Sequence, residues 1–206
     1  TAHSTAKSAS TGTVPATNIG GAVPRTVSRA ALMPDGTDRA FRQFVHRLLA
    51  FSARLEAVRD KFGAILGLSG IQYSALISIA HLSRDAAIGV KEVAEHLGLS
   101  GSFATLVIGQ LTERGLIEKQ ANQGARRRLR LPVTDKGLAL LRQLAPAQRR
   151  VNDVLFEPLS AEQFRQLNDV FGELMGSGVA AVNLVEYLAQ GGPAAVAAEA
   201  GTGGQP

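Results

Sequence analysis

From Thr37 to Phe62 apolar side chains fall at Phe41, Phe44, Val45, Leu48, Leu55, Val58 and Phe62. These spacings put one continuous apolar stripe on a long amphipathic helix. A second helix is expected over Ser69 to Leu82. Two shorter periodic segments follow, "AIGVKEVAEHLGL" and "SGSFATLVIGQLTERGL", joined at Gly98 to Gly101 by a turn of the kind that links two crossing helices. In the second of these, Ala104, Val107, Ile108 and Leu111 fall on the inward face. Leu116 to Gln120 and Arg128 to Val133 then read as short strands around the polar, glycine-containing "ANQGA". Finally, "LSAEQF" sets Ser160 three residues before Gln163, a capping box that opens a helix. That helix carries Phe164, Leu167, Phe171, Leu174, Val182, Val185 and Leu188 close to a seven-residue repeat, broken at Gly176 and Gly178.

This order predicts a mainly α fold with a small β-hairpin wing, a winged helix-turn-helix carrying long N- and C-terminal dimerisation helices. The terminal stripes need partners. A second copy of the chain supplies them by packing its own N- and C-terminal helices against these; an intramolecular bundle is the alternative. Residues 1–36 and 191–206 are rich in Ala, Ser, Thr, Gly and Pro without apolar periodicity, and disordered tails are expected there. The structured part is then 37–190, with a DNA-binding core at about 70–133 and dimerisation helices at about 37–62 and 134–190. Lys7, Arg25 and Arg29 in the first tail make either a weak phosphate-seeking arm or a plain solvated segment.

Charge placement narrows the function. The 206 residues hold 22 Lys and Arg against 17 Asp and Glu, a net of +5, and are 45% hydrophobic, enough for one domain with a core. Lys91 to Arg150 alone contains eleven basic and five acidic residues, so the whole surplus sits in that stretch. A concentrated basic footprint points to a polyanion, and to nucleic acid before membrane, because no basic amphipathic anchor accompanies it. Its densest part is "GARRRLRLP", residues 124–132. Strand alternation turns Leu129, Leu131 and Val133 one way and Arg128 and Arg130 the other. Behind a helix-turn-helix, such a wing faces duplex DNA, where its arginines neutralise phosphate and release counterions. Arg126 and Arg127, at the loop end, suit a minor groove. The alternative is a solvated edge strand.

Other chemistries find little support. Without cysteine there is no disulfide, thiolate nucleophile, Cys-based zinc site or thiol sensor. His3, His46, His81 and His96 form no H-E-x-x-H pair, and no G-x-G-x-x-G or P-loop opens a helix. Glu92, Glu95 and His96 sit on a short helix that the helix-turn-helix needs for support. No catalytic role, cofactor or metal is expected. The N-terminus lacks a charged segment followed by an apolar one, and no apolar run reaches membrane-spanning length, so a cytoplasmic protein without membrane attachment is expected.

Two helices, then "VKEVAEHLGLSGSFATLVIGQLTERGLIEKQ", the arginine-rich wing and "LPVTDKGLALL", resemble the MarR type of winged helix-turn-helix regulator over roughly residues 38–188. The resemblance implies a homodimer on double-stranded DNA at a pseudo-palindromic operator, repressing until a small, often aromatic or anionic, effector weakens binding. It implies DNA contacts from Ser100, Ser102, Phe103, Thr105, Leu106, Gln110, Arg126, Arg127 and Arg128. An effector site between the dimerisation helices and the winged domain would draw on Arg42, His46, Tyr73 and His81. Each of those four also suits ordinary surface or core.

Two departures stand out. The family's wing Asp, two residues before the groove-reading Arg, corresponds to Ala125 before Arg127, so Arg127 is held less rigidly unless Asn122 or Gln123 substitutes. The reading helix, Ser102 to Arg114, presents an uncharged face where relatives often place Arg. Apolar side chains there suit thymine methyl groups, and Gln110 suits a bidentate pair with adenine. The competing readings are that Phe103 and Leu106 pack inside, that DNA binding has weakened, or that the protein is an architectural or protein-interaction winged helix.

Overall fold

The computed structural model describes residues 23–83, 88–121 and 129–192. Its described residues divide into two compact units, with the boundary between Lys61 and Phe62. No single helix among the described residues is long and apolar enough to cross a membrane.

In the first unit the long helix α1, Arg39–Ile65, begins close to where its stripe predicts and runs on into the second unit. Phe44 and Leu49 on it are 54% and 62% exposed. The residues before α1 differ from expectation. Residues 1–22 lie outside the described residues, but 23–36 are anchored and contain a 3-10 turn at Ala30–Leu32. The reason is Asp38, whose side chain is buried. Its carboxylate accepts hydrogen bonds from the Thr26 backbone N–H at 2.8 Å and the Thr26 hydroxyl at 2.9 Å, and it pairs with the Arg42 guanidinium at 2.9 Å. The Thr26 backbone hydrogen bond does most to hold the Asp38 carboxyl below its ordinary value; burial works against it, and the Thr26 hydroxyl and Arg42 add to the lowering.

The second unit holds the core. Helix α2, Gly70–Leu82, starts in a reciprocal capping box, Ser69 Oγ accepting from the Gln72 N–H while Gln72 Oε1 accepts from the Ser69 N–H. Helices α3, Val90–Leu97, and α4, Gly101–Glu113, pack on α2 and on each other. Gly98 ends α3 in the left-handed conformation at φ 65°, which lets the chain turn within three residues into α4. Leu76 and Ile79 of α2, Val93 of α3, and Val107, Ile108 and Leu111 of α4 form the centre of the core, joined by Leu116, Ile117 and Leu131.

Strand pairing is shorter than the alternation suggests. Strands β1, Gln120–Ala121, and β2, Leu129–Arg130, are antiparallel, and Ile117 bridges Val133 below them. Pro132 accepts a bond from the Glu118 N–H at 2.9 Å but has no N–H to return, which interrupts the ladder. The Leu131 N–H instead donates to the Ile88 carbonyl, in the segment just before α3, at 3.2 Å. Leu131 is buried and Arg130 exposed, as alternation requires.

Helix α5, Asp135–Phe156, is capped by Thr134, and α6, Ala161–Gln190, by the Ser160–Gln163 box. The repeat falters at Gly176 and Gly178, yet α6 continues through both. Residues 193–206, expected as a tail, lie outside the described residues.

Candidate nucleic-acid interface

Helix α4 is positioned from both ends. At its start Ser100 Oγ accepts from the Phe103 N–H at 3.3 Å and lies 3.2 Å from Ser102 Oγ. Ala104, Val107, Ile108 and Leu111 are buried, which fixes the helix's rotation and leaves Ser102, Phe103, Thr105 and Leu106 exposed. Phe103 and Leu106 are therefore not core residues: they stand 42% and 55% exposed. Thr105 turns its hydroxyl back to the Gly101 carbonyl at 2.8 Å. Gln110 is half-buried, and its Oε1 accepts from Gln72 Nε2 at 2.9 Å. The bidentate adenine pairing expected of Gln110 needs both ends of its amide, and one is engaged inside the fold.

The C-terminal end of α4 is held by groups that "LTERGLIEK" and "VTDKG" contribute. Lys136 Nζ donates to the Arg114 carbonyl, and the Thr134 hydroxyl to the Gly115 carbonyl, each at 2.7 Å. The Thr134 N–H donates to the Leu116 carbonyl at 3.0 Å, and Arg114 reaches back to the Gly67 carbonyl at 2.7 Å. Three carbonyls just past the end of α4, those of Arg114, Gly115 and Leu116, thus receive donors from the start of α5, where a cation also suits the helix dipole. Thr134 before Asp135 was legible as an N-cap, whereas Gln72, Arg114 and Lys136 act through partners distant in sequence.

Lys119 and Arg130, in the hairpin segment that follows α4, are exposed; Lys91 pairs with Glu95 at 3.6 Å. Arg126, Arg127 and Arg128, and Ala125 before them, lie outside the described residues. Of the expected effector residues, Arg42 and His46 belong to the first unit and Tyr73 and His81 to the second. Arg42 is committed to Asp38 and His46 is exposed. Tyr73 is a core residue, 3% exposed, with its ring edge-on to Phe62 at 5.7 Å. His81 is exposed in the last turn of α2. Among the described residues no cluster of three or more His, Asp or Glu side chains is placed to hold a metal.

The MarR family model matches residues 66–128, which run from the end of α1 through α4 and into the hairpin. The transcriptional repressor MprA of Escherichia coli (strain K12) is 30% identical over 117 residues, which span 57% of this chain and 66% of that protein, just short of two thirds of its length. A MarR family transcriptional regulator from Silicibacter pomeroyi superposes with a TM-score of 0.60 at 18% identity, over 70% of this chain and 96% of that one. CouR from Rhodococcus jostii RHA1, solved bound to p-coumaroyl-CoA, gives 0.55 at 22% identity, over 64% and 91%. Residues 66–128 thus match the MarR family, and the chain is similar to DNA-binding transcriptional regulators of the MarR type.

Proposed function

We propose that the chain is a dimeric repressor that lays α4 in the major groove of a pseudo-palindromic operator, flanks it with an arginine-rich wing, and is released by a small aromatic or anionic ligand. The observation that carries this is the rotation of α4: its four inward side chains are buried while its opposite face stands exposed. The base of a hairpin, with Arg130 exposed, follows it in the chain. Helix α6 supports the dimer, because none of its 30 residues is buried in one copy although Phe164, Phe171, Leu174 and Val182 are apolar. A twofold through such an interface sets two reading helices about 34–36 Å apart, one turn of DNA. On this reading the DNA-binding core is about 70–133, the dimerisation helices are 37–62 and 134–190, and the protein works in the cytoplasm.

Repression follows the similarity to MprA, and ligand release the likeness to a structure that holds a coenzyme A ester. Arg42, His46 and His81 are the effector contacts to test first, Tyr73 being core. Fluorescence anisotropy with DNA from beside the chain's own gene, against random DNA of equal length, tests the operator. A specific site should bind about a thousandfold or more tighter at physiological salt. Equal affinities would reject the repressor in favour of an architectural winged helix, a reading that the absence of any cation on the exposed face of α4 supports.

A further inference from the structure

We infer that α4 reads its site chiefly by apolar contact between Phe103 and Leu106 and the 5-methyl groups of thymine. This deepens the operator reading above and rests on it. The exposed face of α4 has few polar groups left to offer. The Thr105 hydroxyl proton goes to Gly101, Ser100 Oγ caps α4 through the Phe103 N–H and lies 3.2 Å from Ser102 Oγ, and Gln110 Oε1 is occupied by Gln72, so the polar groups left over are small: the Ser102 hydroxyl and Gln110 Nε2. No Arg, Lys, Asp, Glu or His lies between Gly101 and Thr112. The largest free chemistry is thus hydrocarbon. Phe103 and Leu106 are one turn apart on the same face, both substantially exposed, and the open space around Gly109 lets a surface approach beside them.

The thymine 5-methyl is the one apolar group that a base pair shows in the major groove. A protein partner would also welcome such a pair. The setting favours DNA, because the stretch from Lys91 to Arg150 holds eleven basic residues against five acidic ones, with Lys119 and Arg130 exposed. Another strongly apolar exposed surface, that of α6, carries fewer cations along its own length: Arg165 is its single basic residue.

The test uses the full chain. Bound duplexes are selected from a random pool, and the winner is remade with deoxyuridine at single thymine positions, which removes the methyl and keeps the hydrogen-bonding edge. At the contacted positions affinity should fall about fourfold per methyl, the ratio that corresponds to about 0.8 kcal/mol for one buried carbon. Phe103→Ala and Leu106→Ala, both at exposed positions and checked for fold by circular dichroism, should bind the thymine and uracil duplexes alike. A selected duplex that binds equally well in both forms would overturn the inference and leave operator binding standing, as would discrimination surviving in both alanine variants. A pool from which no sequence is enriched would overturn the inference and the operator reading together, and turn this face toward a protein.

Discussion

Gln110 of α4 and Gln72 of α2 are joined side chain to side chain, Gln72 Nε2 donating to Gln110 Oε1 at 2.9 Å. Gln72 also closes the capping box at Ser69, so its one amide ties the start of α2 to the last turn of α4. Gln110 thereby helps set the tilt of α4. A double-mutant cycle measures this. Gln72→Ala and Gln110→Ala should each lower unfolding stability by about 1 kcal/mol, and the pair by less than the sum, with a coupling of about 0.5–1.5 kcal/mol in urea unfolding. Strict additivity would show that the two amides stabilise nothing together. In DNA binding, Gln110→Ala should then weaken all operator variants to a similar extent, without relaxing preference at one base pair.

Gly137, on the first turn of α5, sits against the Leu116 carbonyl and the Val133 side chain. A Cβ added there would stand 2.7 Å from Val133 Cγ1 and closer still to the backbone oxygen. Backbone cannot give way as a long side chain does. Gly137→Ala should therefore cost about 1–3 kcal/mol, seen as a lowered Tm, by pushing α5 off the segment that follows α4. Thr134→Ala, which removes the α5 cap and the bond to Gly115, should cost about 1 kcal/mol. A Gly137→Ala protein with unchanged Tm would mean that the α4–α5 junction is looser than its contacts imply.

What the sequence revealed was what repeats or stands close along the chain. The buried row Ala104, Val107, Ile108, Leu111 follows from helical period alone, and the Ser160–Gln163 box from a four-residue pattern. What it concealed depends on distant partners. The anchoring of 23–36 needs Thr26 to meet Asp38, twelve residues on, and the engagement of Gln110 needs a partner 38 residues away. Neither leaves a periodic trace. Tyr73 illustrates the same limit, since a phenol suited to a ligand and a phenol packed on Phe62 look alike in one dimension. The shortened β ladder was legible in principle, because Pro132 announces a missing donor within the expected strand.

The Thr26–Asp38–Arg42 tie should be pH-sensitive with a definite sign. Asp38 has its carboxyl held below the ordinary value, so the charged form is favoured in the folded chain. Its contribution is present above the unfolded value near 4, and is lost as the pH falls through the lower folded value. Following the Thr26 amide by NMR from pH 6 downward should show a shift that titrates with a midpoint below 4. Asp38→Asn should abolish that titration. A Thr26 amide indifferent to acid would mean that the tie does not hold in solution.

Assembly is open to the bluntest test. Along α6, Phe171, Leu174 and Val182 are 45%, 44% and 59% exposed in a single copy, on a helix with no buried residue. A dimer that covers them would bury any charge placed among them without a partner, at a cost of about 3–5 kcal/mol. Leu174→Arg should therefore raise the dimer dissociation constant by roughly two to four orders of magnitude, since each factor of ten is about 1.4 kcal/mol. Sedimentation velocity at micromolar concentration should show a monomer for Leu174→Arg and a dimer for the parent chain. Asp169→Ala, an exposed position off this stripe, should remain dimeric. If α6 instead folds back on its own chain, both variants and the parent sediment alike as monomers, and Leu174→Arg lowers Tm without changing mass. A monomer also loses the second reading helix, so operator affinity should fall with dimerisation while weak binding to random DNA through the wing persists.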